Sequence, residues 1–214
     1  MKTVRLFYKK GGRAKYISHL DTMRAMTRLL RRTGLDTWYT EGFNPHLYIT
    51  FAMPLSLGFG SDYEIADIRL NDDNYKIDNL PELLNSCAPD GFYFFAAKEP
   101  VKKLSDLTFA EFSVEFSDAG TLAENLKAFL RLDEISVEKK TKKGDIKIIN
   151  AAPDIKKFSV ENKGNTVLFI TLPAGPQKTV NPELIISKFL KENGECFIKI
   201  TRTALLDENL LPLE

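Results

Sequence analysis

Two histidines and four arginines lie close together in this chain, and they are the side chains best suited to chemistry. His19 follows Ser18 at the expected start of a helix, and Arg24, Arg28, Arg31 and Arg32 come within the next thirteen residues. The positive end of a helix dipole disfavours a charged imidazole, so a neutral His19 could accept a proton as a general base must. The alternative is a histidine that packs or bonds to a neighbouring loop. Spacings of four and three place Arg24, Arg28 and Arg31 on one helix face. The expected core stripe is Leu20, Met23, Thr27 and Leu30, away from those arginines. A guanidinium matches phosphate with a planar fork, so this face suits a polyanion. Otherwise it is a solvated face in which Asp21 pairs with Arg24, worth about 0.3–0.5 kcal/mol. Arg13 and Lys15, with Lys9 and Lys10, lie just upstream and would widen the same patch.

The second histidine closes the run Glu41-Gly42-Phe43-Asn44-Pro45-His46. Asn-Pro sets a rigid turn, and His46 at a loop-to-strand junction either faces a ligand or caps the turn. Phe43, with Trp38 and Tyr39, adds aromatic surface able to stack on unpaired bases, unless these rings seal the core. Asn44 and His46 would line the adjoining groove. Downstream, Gly58-Phe59-Gly60-Ser61 could offer backbone amides to a phosphate, although it lacks a phosphate-binding lysine motif.

Charge supports a basic front. The first 60 residues carry ten Lys/Arg against three Asp/Glu, and the remaining 154 carry 20 against 26. The whole-chain balance of +1 hides that asymmetry, which suggests a phosphate-bearing partner for the front half. A 43% apolar content supports real cores, and no apolar run approaches the roughly 20 residues needed to cross a bilayer. The N-terminus alternates like a strand and lacks a signal-peptide h-region, which points to the cytoplasm. Cys87 and Cys196 stand 109 positions apart in no motif, and two histidines without clustered cysteines argue against a zinc site. No metal and no cofactor are expected.

These residues must be positioned by elements whose periods are readable. A strand over Thr3 to Tyr8 leads through an extended piece, Ala14 to Ile17, to Ser18. Ser18 and Asp21 form a short-acid capping box, and Gly34 stops the helix. Strands follow at 46–52 and 63–70, a helix at 77–88 and a strand at 92–97, which is the βαββαβ order of a ferredoxin-like domain. Residues 98–106 are polar and serve as a linker. The second half repeats the order: strand 109–116, helix 120–132, strands 135–138, 146–150, 157–161 and 167–172, a helix from Asn181-Pro182 to Gly194, and strand 196–202. The predicted fold is α+β, two tandem ferredoxin-like domains over 1–98 and 107–214, with an extra hairpin in the second.

The segments YISHLDTMRAMTRLLRRTGL, EGFNPH and ITFAMPLSLGFGSDYE resemble the radical-SAM-linked family of uncharacterised bacterial proteins, found alone or fused C-terminal to radical-SAM enzymes. The motif positions are Ser18, His19, Asp21, Arg24, Arg31, Arg32, Gly42, Phe43, Asn44, Pro45, His46, Gly58, Ser61 and Glu64. Leu47-Tyr48 stands where a more polar continuation is expected. The resemblance is specific over residues 1 to 70 and looser beyond, with ITRTALLDE the clearest later match. It implies a bacterial cytoplasmic protein working beside a radical-SAM enzyme or in RNA metabolism. A second likeness, in architecture alone, is to the repeat-processing ribonucleases of CRISPR systems, whose glycine-rich C-terminal loop has no counterpart here.

Three readings follow. The leading one is a non-catalytic module for tRNA or rRNA, with Arg24, Arg28, Arg31 and Arg32 on phosphates. The second is a metal-independent ribonuclease with His19 as base. In the third, the 42–58 segment docks on a radical-SAM enzyme. Residue types leave the RNA and the oligomeric state open.

Overall fold

The computed structural model describes residues 1–140 and 144–214 and shows a mixed α+β protein with two compact units. One comprises 1–107 with 211–214, and the other 108–210.

In the first unit, β1 (Lys2–Lys10), β2 (Ile49–Phe51), β3 (Gly60–Leu70) and β4 (Phe92–Lys98) form antiparallel pairs in the order β4-β1-β3-β2. Helices α1 (His19–Arg32) and α2 (Leu80–Cys87) pack on one sheet face. The register sets Val4 opposite Ile68, Leu6 opposite Ala66 and Tyr8 opposite Glu64. Val4, Leu6, Ala66, Ile68 and Phe94 therefore meet Met26, Leu29 and Leu30 from α1 and Leu80 and Leu84 from α2. The other face of β1 is also buried. Arg5 is 0% exposed, and its Nε and Nη2 donate to the two carboxylate oxygens of Asp67 at 2.8 Å each. Beside that pair, Phe7, Tyr63 and Phe95 cluster with ring centroids 5.7–6.2 Å apart.

Two expectations change here. The piece before α1 is a 3-10 turn, Gly12–Tyr16, and not an extended segment. Gly11 N–H donates to the Gly91 carbonyl at 2.8 Å, and a Cβ on Gly91 would stand 2.5 Å from the Gly11 oxygen and 2.7 Å from the Ala14 Cβ. Only glycine permits that approach, at φ +89°. The core stripe of α1 is also different. Its buried residues are Thr22, Met26, Leu29 and Leu30, whereas Leu20 is exposed and Met23 and Thr27 are half-buried. Leu20 and Arg31 are eleven residues apart, close to three turns, so they share a line and the arginines stand beside Leu20 and Met23.

The predicted cap is present. Asp21 N–H donates to Ser18 Oγ at 3.1 Å, and the Ser18 hydroxyl donates to Asp21 Oδ2 at 2.7 Å. The helix ends at Arg32, followed by Gly34 at φ +71°.

The second unit holds β5 (Phe109–Phe116), α3 (Ala123–Phe129), β6 (Ser136–Lys140), β7 (Ile146–Asn150), β8 (Lys157–Asn162), β9 (Thr166–Pro173), α4 (Pro182–Asn193) and β10 (Ile198–Leu206). Its strands pair in the order β10-β5-β9-β8, with β6 and β7 as a separate hairpin. Asn181 caps α4 by accepting Glu183 N–H at 3.0 Å, and Gly194 follows its end at φ +101°.

Candidate nucleic-acid interface

Because α1 turns Met26, Leu29 and Leu30 to the sheet, its other side carries Leu20, Met23, Arg24, Thr27, Arg28 and Arg31. The facing wall is a small hairpin over residues 38–48. Tyr48 N–H donates to the Trp38 carbonyl at 3.1 Å, Tyr39 pairs with Leu47, and Thr40 N–H donates to the His46 carbonyl at 2.8 Å. Leu47 and Ile49 lie at the foot of this wall. Between them lies an open groove of about 380 Å³, apolar along its floor and lined by Arg24, Arg28, Arg31 and His46 as well.

Contacts preset part of this rim. Arg31 Nε donates to Tyr39 Oη at 3.2 Å, with its guanidinium 5.8 Å from the ring centroid. Arg24 Nη1 stands 3.1 Å from Asp21 Oδ1 in an exposed pair. The carboxyl of Asp21 is held below its ordinary range, first by the hydrogen bond from Ser18 and then by that from Arg24. His46 Nδ1 lies 3.0 Å from Thr40 Oγ1 and 3.3 Å from the Asn44 carbonyl, so the imidazole closes the neck of the 41–45 loop. Phe43 at the loop's tip is fully exposed, and Asn44 is exposed beside it.

The structure thus brings together Arg24, Arg28, Arg31 and His46, with Phe43 and Asn44 on the adjoining loop. Other expected site residues stand apart from the groove. Arg32 Nη2 donates to the Cys87 carbonyl at 2.9 Å and ties α1 to the end of α2. Arg13 is exposed on the 3-10 turn, and Lys15 Nζ lies 4.9 Å over the Tyr16 ring. Ser61 is buried, its Oγ accepting Tyr63 N–H at 3.2 Å. The glycine loop does not present its first amides outward: Gly58 N–H donates to the Lys15 carbonyl and Phe59 N–H to that of Ser56. Trp38 is half-buried against Tyr48, and Arg69 lies 5.2 Å and 4.2 Å over those two rings.

His19 occupies a different place. It is half-buried at the first position of α1, with its ring edge-on to Phe51 at 5.3 Å. It borders a cavity of about 10 Å³ with Tyr8, Lys10, Thr22 and Glu64, space for roughly one water. Burial first, then the Lys10 charge, pushes its pKa below the ordinary 6.5, while Glu64 pulls it upward. Burial, more than any neighbouring charge, is thus the main cause of that downward shift.

Sequence reasoning missed the groove floor (Met23, Leu47, Ile49) and the Tyr8–Lys10–Glu64 surroundings of His19. The helical angle from Leu20 to Arg31 was an available signal for the floor. The strand alternation of Tyr8 and Lys10 was one for the cavity. Among the described residues, no three His, Cys, Asp or Glu side chains gather as a metal site, and no helix is long and apolar enough to cross a membrane.

No curated protein matches the sequence. Among solved structures, the chain is similar to one in the "Crystal Structure of a Cbf5-Nop10-Gar1 Complex", with 11% identity and a TM-score of 0.48. The likeness covers 94% of this chain but 48% of the other, so the chain spans about half the length of that neighbour. A resemblance at this level carries no argument about fold or function. The sequence match below extends to the family and not to a radical-SAM linkage. With residues 3–182 matching its model, the chain belongs to a family of uncharacterised proteins conserved in bacteria (DUF2344).

Proposed function

We propose that the protein is a cytoplasmic, non-catalytic RNA-binding module for tRNA or rRNA, and that the α1 groove is its contact face. The observation that carries this reading is the row of Arg24, Arg28 and Arg31 along an apolar groove, on a helix with four arginines and one acid. Arginine forks hold phosphates bidentately, and the exposed Phe43 and Asn44 lie at the end of the same hairpin. Two tandem ferredoxin-like domains are the matching architectural proposal. The order last-first-third-second among the main strands of each unit supports it, with β6 and β7 as the inserted hairpin.

The test is binding of the purified protein to bulk tRNA and to an rRNA fragment. The double charge reversal Arg28→Glu/Arg31→Glu abolishes binding on this reading, and undiminished affinity would refute it. The ribonuclease alternative has less support, because His19 does not line the arginine groove. The same RNA run on a denaturing gel tests it, since equal cleavage by His19→Ala would exclude His19 as the base.

One observation favours the docking reading, in which a radical-SAM enzyme is the partner. A fully exposed phenylalanine on a loop closed by Thr40 and His46 is suited to anchor in another protein's pocket. Co-purification with such an enzyme, lost in Phe43→Ser, would support that arm; its absence from the wild-type protein would end it.

A further inference from the structure

We infer that the α1 groove takes one unpaired nucleobase of the RNA, so that the protein selects single-stranded over duplex segments. The inference rests on the RNA-binding reading and adds the class of nucleic acid to it.

The composition of the groove carries the argument. A purely electrostatic phosphate site has no need of an apolar floor, and duplex RNA presents sugars and phosphates at its surface. Here Met23, Leu47 and Ile49 form a floor between the α1 arginines and the hairpin wall. An unpaired base supplies the flat, weakly polar face that can cover this floor while its own phosphate reaches Arg24 or Arg28. The size agrees: about 380 Å³ falls at the small end of ligand sites, enough for one ring system and part of its sugar. Arg31 is already turned to the hairpin by Tyr39, and His46 is fixed through Nδ1. A base entering between them meets side chains whose ordering cost is partly met beforehand. The charge favours a nucleotide over a peptide helix. Such a helix docks through a row of apolar anchors, whereas this rim alternates its apolar positions with guanidinium groups.

The experiment measures binding of the full chain to a labelled single-stranded 12-mer RNA, to the same strand annealed into duplex, and to inorganic polyphosphate as a base-free competitor. The single strand should bind about tenfold more tightly than the duplex and resist polyphosphate competition. Thr27→Phe, which fills the groove from the α1 side, should remove the preference for the single strand. Unaltered thermal unfolding of that variant shows that it is folded. Equal affinity for single strand and duplex would overturn the inference while leaving the RNA-binding reading intact. So would a strand preference that persists in folded Thr27→Phe. No binding to any RNA would overturn both, and capture of an acidic peptide by the groove instead would do the same.

Discussion

On the RNA-binding proposal, the salt dependence of binding follows quantitatively from which arginines share the groove. Three guanidinium groups, at Arg24, Arg28 and Arg31, line it. Each neutralised phosphate on a single strand contributes about −0.7 to the slope of log affinity against log salt, so three give about −2.1. Raising salt from about 50 to about 200 mM, a fourfold change, then weakens binding roughly 18-fold. Arg28→Ala should flatten the slope to about −1.4 and reduce that loss to about sevenfold. Arg24→Ala should flatten the slope by the same step, with the phosphate replacing the exposed Asp21 that stands 3.1 Å from that guanidinium. Arg32→Ala should leave it unchanged, because Arg32 is bound to the Cys87 carbonyl outside the groove. Fluorescence anisotropy with a labelled single strand at five salt concentrations measures all four slopes. A flat plot for the parent, or an Arg32→Ala slope lowered as far as that of Arg28→Ala, would refute the reasoning.

Two further predictions concern the scaffold. Asp67→Ala leaves the Arg5 guanidinium buried without its carboxylate and should cost about 3–5 kcal/mol in urea unfolding, whereas Arg5→Met/Asp67→Leu together should restore most of it; equal losses in the two proteins would contradict this. His19 has a folded-state pKa below 6.5, so the unfolded chain binds its proton more readily. Stability from this residue is therefore full above 6.5 and declines as pH falls below it. The urea midpoint should drop more steeply between about pH 6.5 and 5 in the parent than in His19→Gln, and parallel curves would reject the assignment.

Local chemistry was legible in the residues where it is self-contained. Ser18 with Asp21, and Asn181 with Gly194, mark helix ends because their partners lie within a few positions. Strands at 109–116 and 146–150 also coincide with the expected spans, although the partners of the first lie far along the chain. Which side of α1 is buried was not legible, because Leu20/Met23 and Met26/Leu29 both make apolar stripes and the sheet decides between them. The expected strand 46–52 shrinks to 49–51, since Leu47 pairs back to Tyr39 within the hairpin. Charge counting also overstated the basic surface. Arg5 is buried against Asp67 and Lys10 is buried beside His19, and neither fact is visible in a residue count. Arg24, Arg28, Arg31 and His46 were legible as a set. The floor that joins them was not, because it is shared by two segments that meet only in the fold.

The return of residues 211–214 to the first unit has a consequence for the order in which the protein is made. Leu213 is fully buried there, and the Glu214 carbonyl accepts the N–H groups of Val101 and Lys102 at 3.3 and 3.0 Å. A ribosome delivers these residues about a hundred positions after the rest of their unit, an interval of roughly 5–20 s at ordinary elongation rates. The α1 groove, built from residues 20–49, is therefore translated long before residues 211–214 of its own unit. During that interval the nascent unit lacks its last buried leucine, and the surface that Leu213 covers stays open to solvent.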